Sequence, residues 1–235
     1  MLRSTGIILA LLLGCTLAPA AEKQALAEDV FNNITVFKGM PAARVISAMD
    51  ALTGQLSVEC TYCHVAREWD MDDKPQKQTA RKMFQMVEYL NHDQFGGRNW
   101  ISCWTCHRGH GRPPQWPEDP RRLEQARLAM PIAATDEAKP AEQVFHNIRA
   151  LTGVPAGELP AIMAYFSSAL GVECIHCHTV GHWDKDTPVK QTARKMLAMV
   201  DATIQRFYGG LSPLGCPDCH RGSLKVPELS FLRAQ

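Results

Sequence analysis

Residues 171–196 read GVECIHCHTVGHWDKDTPVKQTARKM. Two thiols, Cys174 and Cys177, stand three apart, and the imidazole of His178 follows at once. A thioether, Met196, closes a run whose apolar residues fall at helical spacing. The first half of the chain repeats the phrase: residues 58–64 read VECTYCH and residues 77–83 read KQTARKM. What this phrase does decides the fold.

The chain has nine Cys. With Cys15 set aside, the others fall into pairs, each followed by His: Cys60/Cys63/His64, Cys103/Cys106/His107, Cys174/Cys177/His178 and Cys216/Cys219/His220. Each is a c-type haem attachment signature. The two thiols add across the vinyl groups on one edge of the porphyrin, and the adjacent His then lies under the iron as its proximal ligand. Disulfides, a zinc site and a redox Cys-x-x-Cys are the other chemistries open to such pairs. None of them explains why a His follows every pair and no thiol is left over. Four covalently bound haem c groups are therefore expected, with the eight cysteines as thioether donors and His64, His107, His178 and His220 on the irons.

The duplication extends beyond the motifs. At an offset of 114, Val30-Phe31 aligns with Val144-Phe145, Pro41 with Pro155, Met49 with Met163 and Trp69-Asp70 with Trp183-Asp184. At 113, Lys77 to Met83 matches Lys190 to Met196 identically, and Met86, Gly96-Gly97 and Cys103 match Met199, Gly209-Gly210 and Cys216. The expected organisation is a signal peptide over 1–20, a first dihaem module over 21–112, a Pro-rich linker over 113–140 and a second dihaem module over 141–235. Pro113, Pro114, Pro117, Pro120, Pro131 and Pro140 make that linker an extended, semi-rigid connection, with a short helix expected over Arg121 to Met130.

Each module offers two helices, Ala42 to Leu52 behind Pro41 and Thr79 to Leu90 ending near Asn91, and the second module repeats both with Pro160 early in its first helix. Strand signals are weak, so the fold class is mainly α. Met49 and Met163 precede the first motif of each module, and Met83 and Met196 precede the second. A helix lying flat on a haem presents one thioether to the iron, which makes these four the distal ligand candidates. Met86 and Met199, one turn further on, are rivals or pack the haem edge. Lys77, Arg81, Lys190 and Arg194 are candidate propionate partners or a solvated helix face. His110, His146, His176 and His182 read as surface residues or propionate partners, or as haem ligands if the centres are bis-His.

The pattern of a Met-bearing helix, L-x-V-E-C-x-x-C-H, A-R-K-M-x-x-M and C-x-x-C-H-R-G resembles the photosynthetic reaction-centre cytochrome c subunit family, over nearly the whole chain after residue 20. The resemblance implies a mainly helical fold with four haems in a row and halves related by a pseudo-twofold. It also implies distal Met at Met49, Met83 and Met163. The family's reaction-centre members are longer. Their fourth haem takes a His from the segment before the first half's second motif, which here contains His92. Met196 is preferred for its place in the identical heptapeptide, and His92 is its rival.

Composition narrows the function. The chain has 235 residues, 46% hydrophobic and 21% charged, with a formal net charge of +1 and no basic arm. That balance argues against nucleic acid as a partner. Arg3, the apolar run Ile7 to Leu13 and Ala18-Pro19-Ala20 form an export signal too short to stay as a membrane span. The expected location is the periplasm after cleavage behind Ala20. The alternative is a lipid anchor on Cys15 in the lipobox-like Leu12-Leu13-Gly14-Cys15, the one route by which a membrane would become a partner. The expected function is electron transfer between redox proteins, as a respiratory carrier or a donor to a photosynthetic reaction centre, not catalysis. A multihaem reductase with one open iron and a subunit of an extracellular cytochrome filament are the alternatives.

Overall fold

The computed structural model describes residues 24–117, 119–211 and 214–226. The predicted signal segment and Cys15 lie outside them. The first half opens with a single turn, α1 (Ala27–Val30), and a 3-10 turn at Ala42–Arg44 runs into α2 (Val45–Leu56). Helix α2 therefore runs a turn past the expected Leu52. Cys60–Cys63 forms the one-turn α3. Helix α4 (Pro75–Tyr89) starts one turn before the predicted Thr79, because Pro75 occupies a first-turn position where its missing N–H removes no helical bond. It widens into a π-type turn at Leu90–Gln94. Asn91 holds that turn by donating to the carbonyl of Ile101 at 2.8 Å and accepting from its N–H at 2.9 Å. The second motif forms α5 (Cys103–His107).

In the Pro-rich segment α6 (Pro120–Ala129) is capped by Asp119, whose carboxylate accepts from the Arg121 N–H. It packs against the second half, and Arg122 donates to Ser167 Oγ and to the carbonyl of Val172. This part of the segment is a docked helix; its prolines stop it from extending, not from folding. The second half runs α7 (Ala141–Val144), a 3-10 turn at Ala156–Glu158, α8 (Leu159–Leu170), a 3-10 turn at Cys174–His176, α9 (Pro188–Tyr208) and α10 (Cys216–His220). Pro160 falls in the first turn of α8 and does not break it. The fold is mainly helical, with only isolated β-bridges among the described residues. No helix among the described residues is long and apolar enough to cross a membrane.

Helix α2 packs on α5, and α8 on α10. The halves meet where α5 touches α10 and α4 touches α9. Polypeptide packing supplies only small clusters. Ala27, Phe37 and Val45 form one, with Met49 against it, and Met86, Leu90, Ile101 and Phe207 form another. Among the described residues the largest fully buried side chains are Thr105 and Thr203. An interior this thin in large apolar side chains suits a chain that wraps large apolar plates.

Local bonds recur in both halves. Asn33 donates to Asp72 Oδ1 at 2.9 Å, and Asn147 to Asp186 Oδ1 at 2.8 Å. Glu28 accepts from the Gly39 N–H, and Glu142 from the Gly153 N–H. The N–H of Gly109 donates to Gln55 O at 3.0 Å, and that of Gly222 to Ala169 O at 2.7 Å, so each second motif is tied to the end of a Met-bearing helix. The close approach in the second half requires glycine. Gly171 ends α8 at φ 64, and a Cβ there would run into the carbonyl of Gly222. Its first-half counterpart, Ser57, takes φ 48 with its Cβ accommodated. Gly171→Ala is expected to destabilise the holoprotein by about 2–4 kcal/mol, joining left-handed strain to a backbone clash. Ser57→Ala should stay within about 0.5 kcal/mol, and the shifts in denaturant midpoint measure both.

Candidate haem sites

A single helical turn puts residues i and i+3 on one face. At Cys60–Cys63, Cys103–His107 and Cys216–His220 that turn is α-helical, and at Cys174–His176 it is 3-10. In every motif both sulfurs therefore project to the same side. All eight thiols are free, and all but Cys60 are partly buried. Burial pushes the Cys63, Cys103, Cys177 and Cys216 thiols up. Among the described residues no group of three or more His, Cys, Asp or Glu side chains is arranged to hold a metal ion by itself.

The four motif histidines share one feature. His64 Nδ1 lies 2.8 Å from the carbonyl of Trp69, His178 Nδ1 2.9 Å from that of Trp183, His107 Nδ1 3.0 Å from that of His110, and His220 Nδ1 3.0 Å from that of Ser223. A carbonyl only accepts, so each Nδ1 holds the proton and each Nε2 keeps its lone pair. That is how an imidazole is fixed in tautomer and orientation for a metal. Burial also pushes His107 and His178 below the ordinary imidazole value, which keeps the ligating form. The residues present fit a covalently held haem at each motif.

Two loop designs deliver these carbonyls. After the second motifs, Arg108 and Arg221 adopt left-handed φ of 52° and 50°, and Gly109 and Gly222 follow at 79° and 76°. This tight reversal brings a carbonyl three residues on back under the ring, and it accounts for the Arg-Gly after each motif. After the first motifs the loop is longer, and Trp69 and Trp183 set their rings against the imidazoles at centroid distances of 5.9 and 5.8 Å. Here the identical heptapeptide acts. Lys77 Nζ donates to the carbonyls of Trp69 at 2.9 Å and Met71 at 2.7 Å, and Lys190 Nζ to those of Trp183 at 3.0 Å and Asp184 at 3.3 Å. Arg81 bonds Asp72 and the carbonyl of Asn33, and Arg194 bonds Asp186 and the carbonyl of Asn147. The Arg81 guanidinium holds the Asp72 carboxyl well below the usual range. Asn147 and then Arg194 lower Asp186. These side chains are neither free propionate partners nor a solvated face; they fasten the loop behind the motif His. Because both carboxyl values are lowered, the clamp is present at neutral pH and is lost only as pH falls through the folded values.

The distal candidates are distributed unevenly. Met83, Met86 and Met199 line one apolar cleft together with Cys103, Cys106, His107 and Cys219. The Tyr208 hydroxyl, from the second half, approaches Met83 Sδ at 3.7 Å and Met86 Sδ at 3.8 Å. Met49 is half-buried on α2 and Met163 half-buried on α8, each ahead of the first motif of its half. Met196 is half-buried on α9 but outside that cleft's lining, which Met199 reaches instead. His92 sits on the π-type turn with its side chain 81% exposed and its Nδ1 2.6 Å from Asp93. His110, His146, His176 and His182 are exposed.

The second motifs of the two halves lie side by side. Cys106 Sγ and Cys219 Sγ are 3.6 Å apart, and Arg108 Nη2 donates to the carbonyl of Cys219 at 3.2 Å. Contact with Cys219, and burial after it, hold the Cys106 thiol far above its ordinary range. Tyr89 packs on Phe207 with Arg206 over its ring, and Lys82 lies over the ring of Tyr208. Sequence reasoning missed this contact, since no spacing within one half reports what the other half touches.

A family profile described as photosynthetic reaction centre cytochrome C subunit matches residues 12–145 and 118–235. The photosynthetic reaction center cytochrome c subunit of Rubrivivax gelatinosus is 29% identical over 85% of this chain and 68% of its own length. That of Thermochromatium tepidum is 27% identical over 86% of this chain and 62% of its own. Cytochrome c-554 of Chloroflexus aurantiacus is 34% identical over 32% of this chain and 20% of its own. The chain spans roughly two thirds of the length of the first two relatives.

Proposed function

Because the chain belongs to the photosynthetic reaction centre cytochrome c subunit family, a family of haem-binding electron-transport proteins, we propose that it is a tetrahaem electron carrier built from two dihaem modules. The modules span residues 21–112 and 141–235 and are related by a pseudo-twofold. Local bonds repeated in both halves support the division. The bound haem supplies an iron that cycles between ferric and ferrous states. The chain's own residues do the rest. Each pair of cysteines anchors one porphyrin edge, each motif His presents Nε2, and the Met-bearing helices close the other face and exclude water.

The observation that carries this reading is the common Nδ1 restraint on His64, His107, His178 and His220. A core histidine takes whatever partner is near, whereas four placed identically behind four thiol pairs are oriented for one purpose. The adjacency of Cys106 and Cys219 supports a haem order in which the second-motif haems occupy the middle and the first-motif haems the ends. Electrons enter at one end and leave at the other, between redox proteins for which a reaction centre is one partner and a respiratory complex another. With a His and a second side chain on each iron, no iron would be open to a substrate, and the chain would act as a carrier and not as a reductase. We place it in the periplasm, freely soluble after cleavage behind Ala20.

Intact mass of the exported protein tests the reading. The expected mass is that of a chain beginning at Ala21 plus four haems, all resistant to acid–acetone extraction. Two haems or fewer would overturn the haem assignment. A lipid-modified Cys15 at the N-terminus would overturn the location and leave the haem assignment standing.

A further inference from the structure

The carbonyls of Trp69 and Trp183 each take two hydrogen bonds. One comes from the Nδ1–H of a motif histidine, and the other from the ammonium of a lysine in the identical heptapeptide. The distances agree between the two halves within 0.1 Å, at 2.8 and 2.9 Å for the histidines and 2.9 and 3.0 Å for the lysines. We propose that Lys77 and Lys190 are positioning residues that raise the reduction potential of the haems on His64 and His178 by sharing the carbonyl that holds each proximal imidazole. The proposal rests on the reading of those histidines as haem ligands.

A carbonyl oxygen has two lone pairs and can serve both donors, but not independently. A charged donor binds more strongly than a neutral one and draws electron density from the oxygen. The oxygen then accepts less from the imidazole N–H. The imidazole keeps its proton more tightly, becomes less electron-rich and donates less through Nε2. Weaker donation disfavours the ferric iron. The positive charge of the ammonium, held close by the same bond, acts in the same direction, reduced at Lys77 by the Asp72 carboxylate 3.2 Å away. Both effects raise the potential.

The other two sites are an internal comparison. The carbonyls of His110 and Ser223, which hold His107 and His220, take no lysine bond among the described residues. Position along α4 adds a consequence. Lys77 reaches back to the loop of the first motif, while Met83, later on the same helix, lines the cleft of the second. One rigid element thus bears on the proximal side of one haem and the distal side of the next. The lysine and the arginine of the heptapeptide keep one register in both halves, each fastening the loop of the first motif.

The test uses the full holoprotein with Lys77→Met and Lys77→Arg, its haem count checked by intact mass, and a redox titration that resolves the four couples. Lys77→Met should shift one couple downward by about a tenfold change in its reduced-to-oxidised ratio at fixed potential, ~59 mV for one electron. The other three should hold, and Lys77→Arg should recover most of the shift. A full haem count with no couple moved would overturn the proposal and leave the lysine a loop fastener. Failure of the haem reading itself would appear in the unsubstituted protein, as missing haem mass. Should Lys77→Met not assemble, the unsubstituted protein answers through nitrogen-15 NMR of the reduced form. The Nδ1–H groups of His64 and His178 should show the weaker hydrogen-bond shift compared with those of His107 and His220. Four equal shifts would overturn the proposal.

Discussion

Replacing Cys103 and Cys106 together by Ser is expected to cut electron flow between the ends of the molecule by orders of magnitude, while the remaining motifs still attach haem. The argument is positional. The first motif of the first half packs within its own half, α3 on α4, whereas α5 and α10 pack on each other across the halves. With Cys106 and Cys219 sulfurs 3.6 Å apart, these two motifs would bring haems attached to them next to each other. Removing one opens a gap in the middle of the row that no other haem bridges. Removing an end haem, by Cys60→Ser with Cys63→Ser, shortens the row and leaves transfer among the other three intact. Flash reduction from one end, followed at haems with distinct spectra, measures the difference. Equal effects from the two variants would contradict the order proposed here. Loss of the proposed central haem should also loosen the contact between halves, since the cleft beside Cys103 and Cys106 is walled by Met83 and Met86 from one half and Met199 and Cys219 from the other.

Much of the chemistry was legible in the sequence because covalent haem attachment demands a fixed local pattern. Cys-x-x-Cys-His is read within five consecutive residues, and no tertiary contact is needed to interpret it. The helices were legible for the same reason, although Pro75 moved the start of α4 and Ser57 the end of α2 by about a turn. Interactions that span sequence distance were not legible. The heptapeptide looked like a haem-propionate cradle or a wet helix face. What its lysine contacts is a backbone carbonyl in the preceding loop, and nothing in the identity of Trp69 or Trp183 signals that. Tyr208 was silent as well. It lies past the last residue shared by the long helices, because α9 continues where the first half breaks into its π-type turn, and only that extension brings its hydroxyl to Met83 and Met86. A duplicated chain hides such differences, since aligning the halves draws attention to what they share.

Met83→His is expected to lower the potential of one haem by on the order of 100 mV or more, the scale on which axial ligands act. Met83 lines the shared cleft together with Cys103, Cys106 and His107, which makes its thioether the distal candidate for the haem that His107 would hold. A thioether is a weak donor that favours ferrous iron, and an imidazole in its place favours ferric. The Tyr208 hydroxyl near the sulfur reinforces the starting state, because a sulfur that accepts a hydrogen bond gives less to a metal. Met86, equally near that hydroxyl but only 7% exposed in the Leu90, Ile101 and Phe207 cluster, reads as packing. Met86→Leu should therefore leave all four potentials close to their starting values. The same pair of substitutions in the second half then decides the fourth haem. Met196 has the register of Met83, Met199 has the cleft, and His92 is turned outward to Asp93. If the heptapeptide register governs, Met196→Leu removes one component of the near-infrared band that methionine-to-ferric charge transfer produces, and Met199→Leu does not. If the cleft governs, the outcomes exchange. Should neither change the band while His92→Ala shifts a potential, the ligand crosses from the first half to the second. The second half's haem pair would then depend on both halves for its axial bonds, and the contact between α4 and α9 would be a condition of ligation as well as of packing.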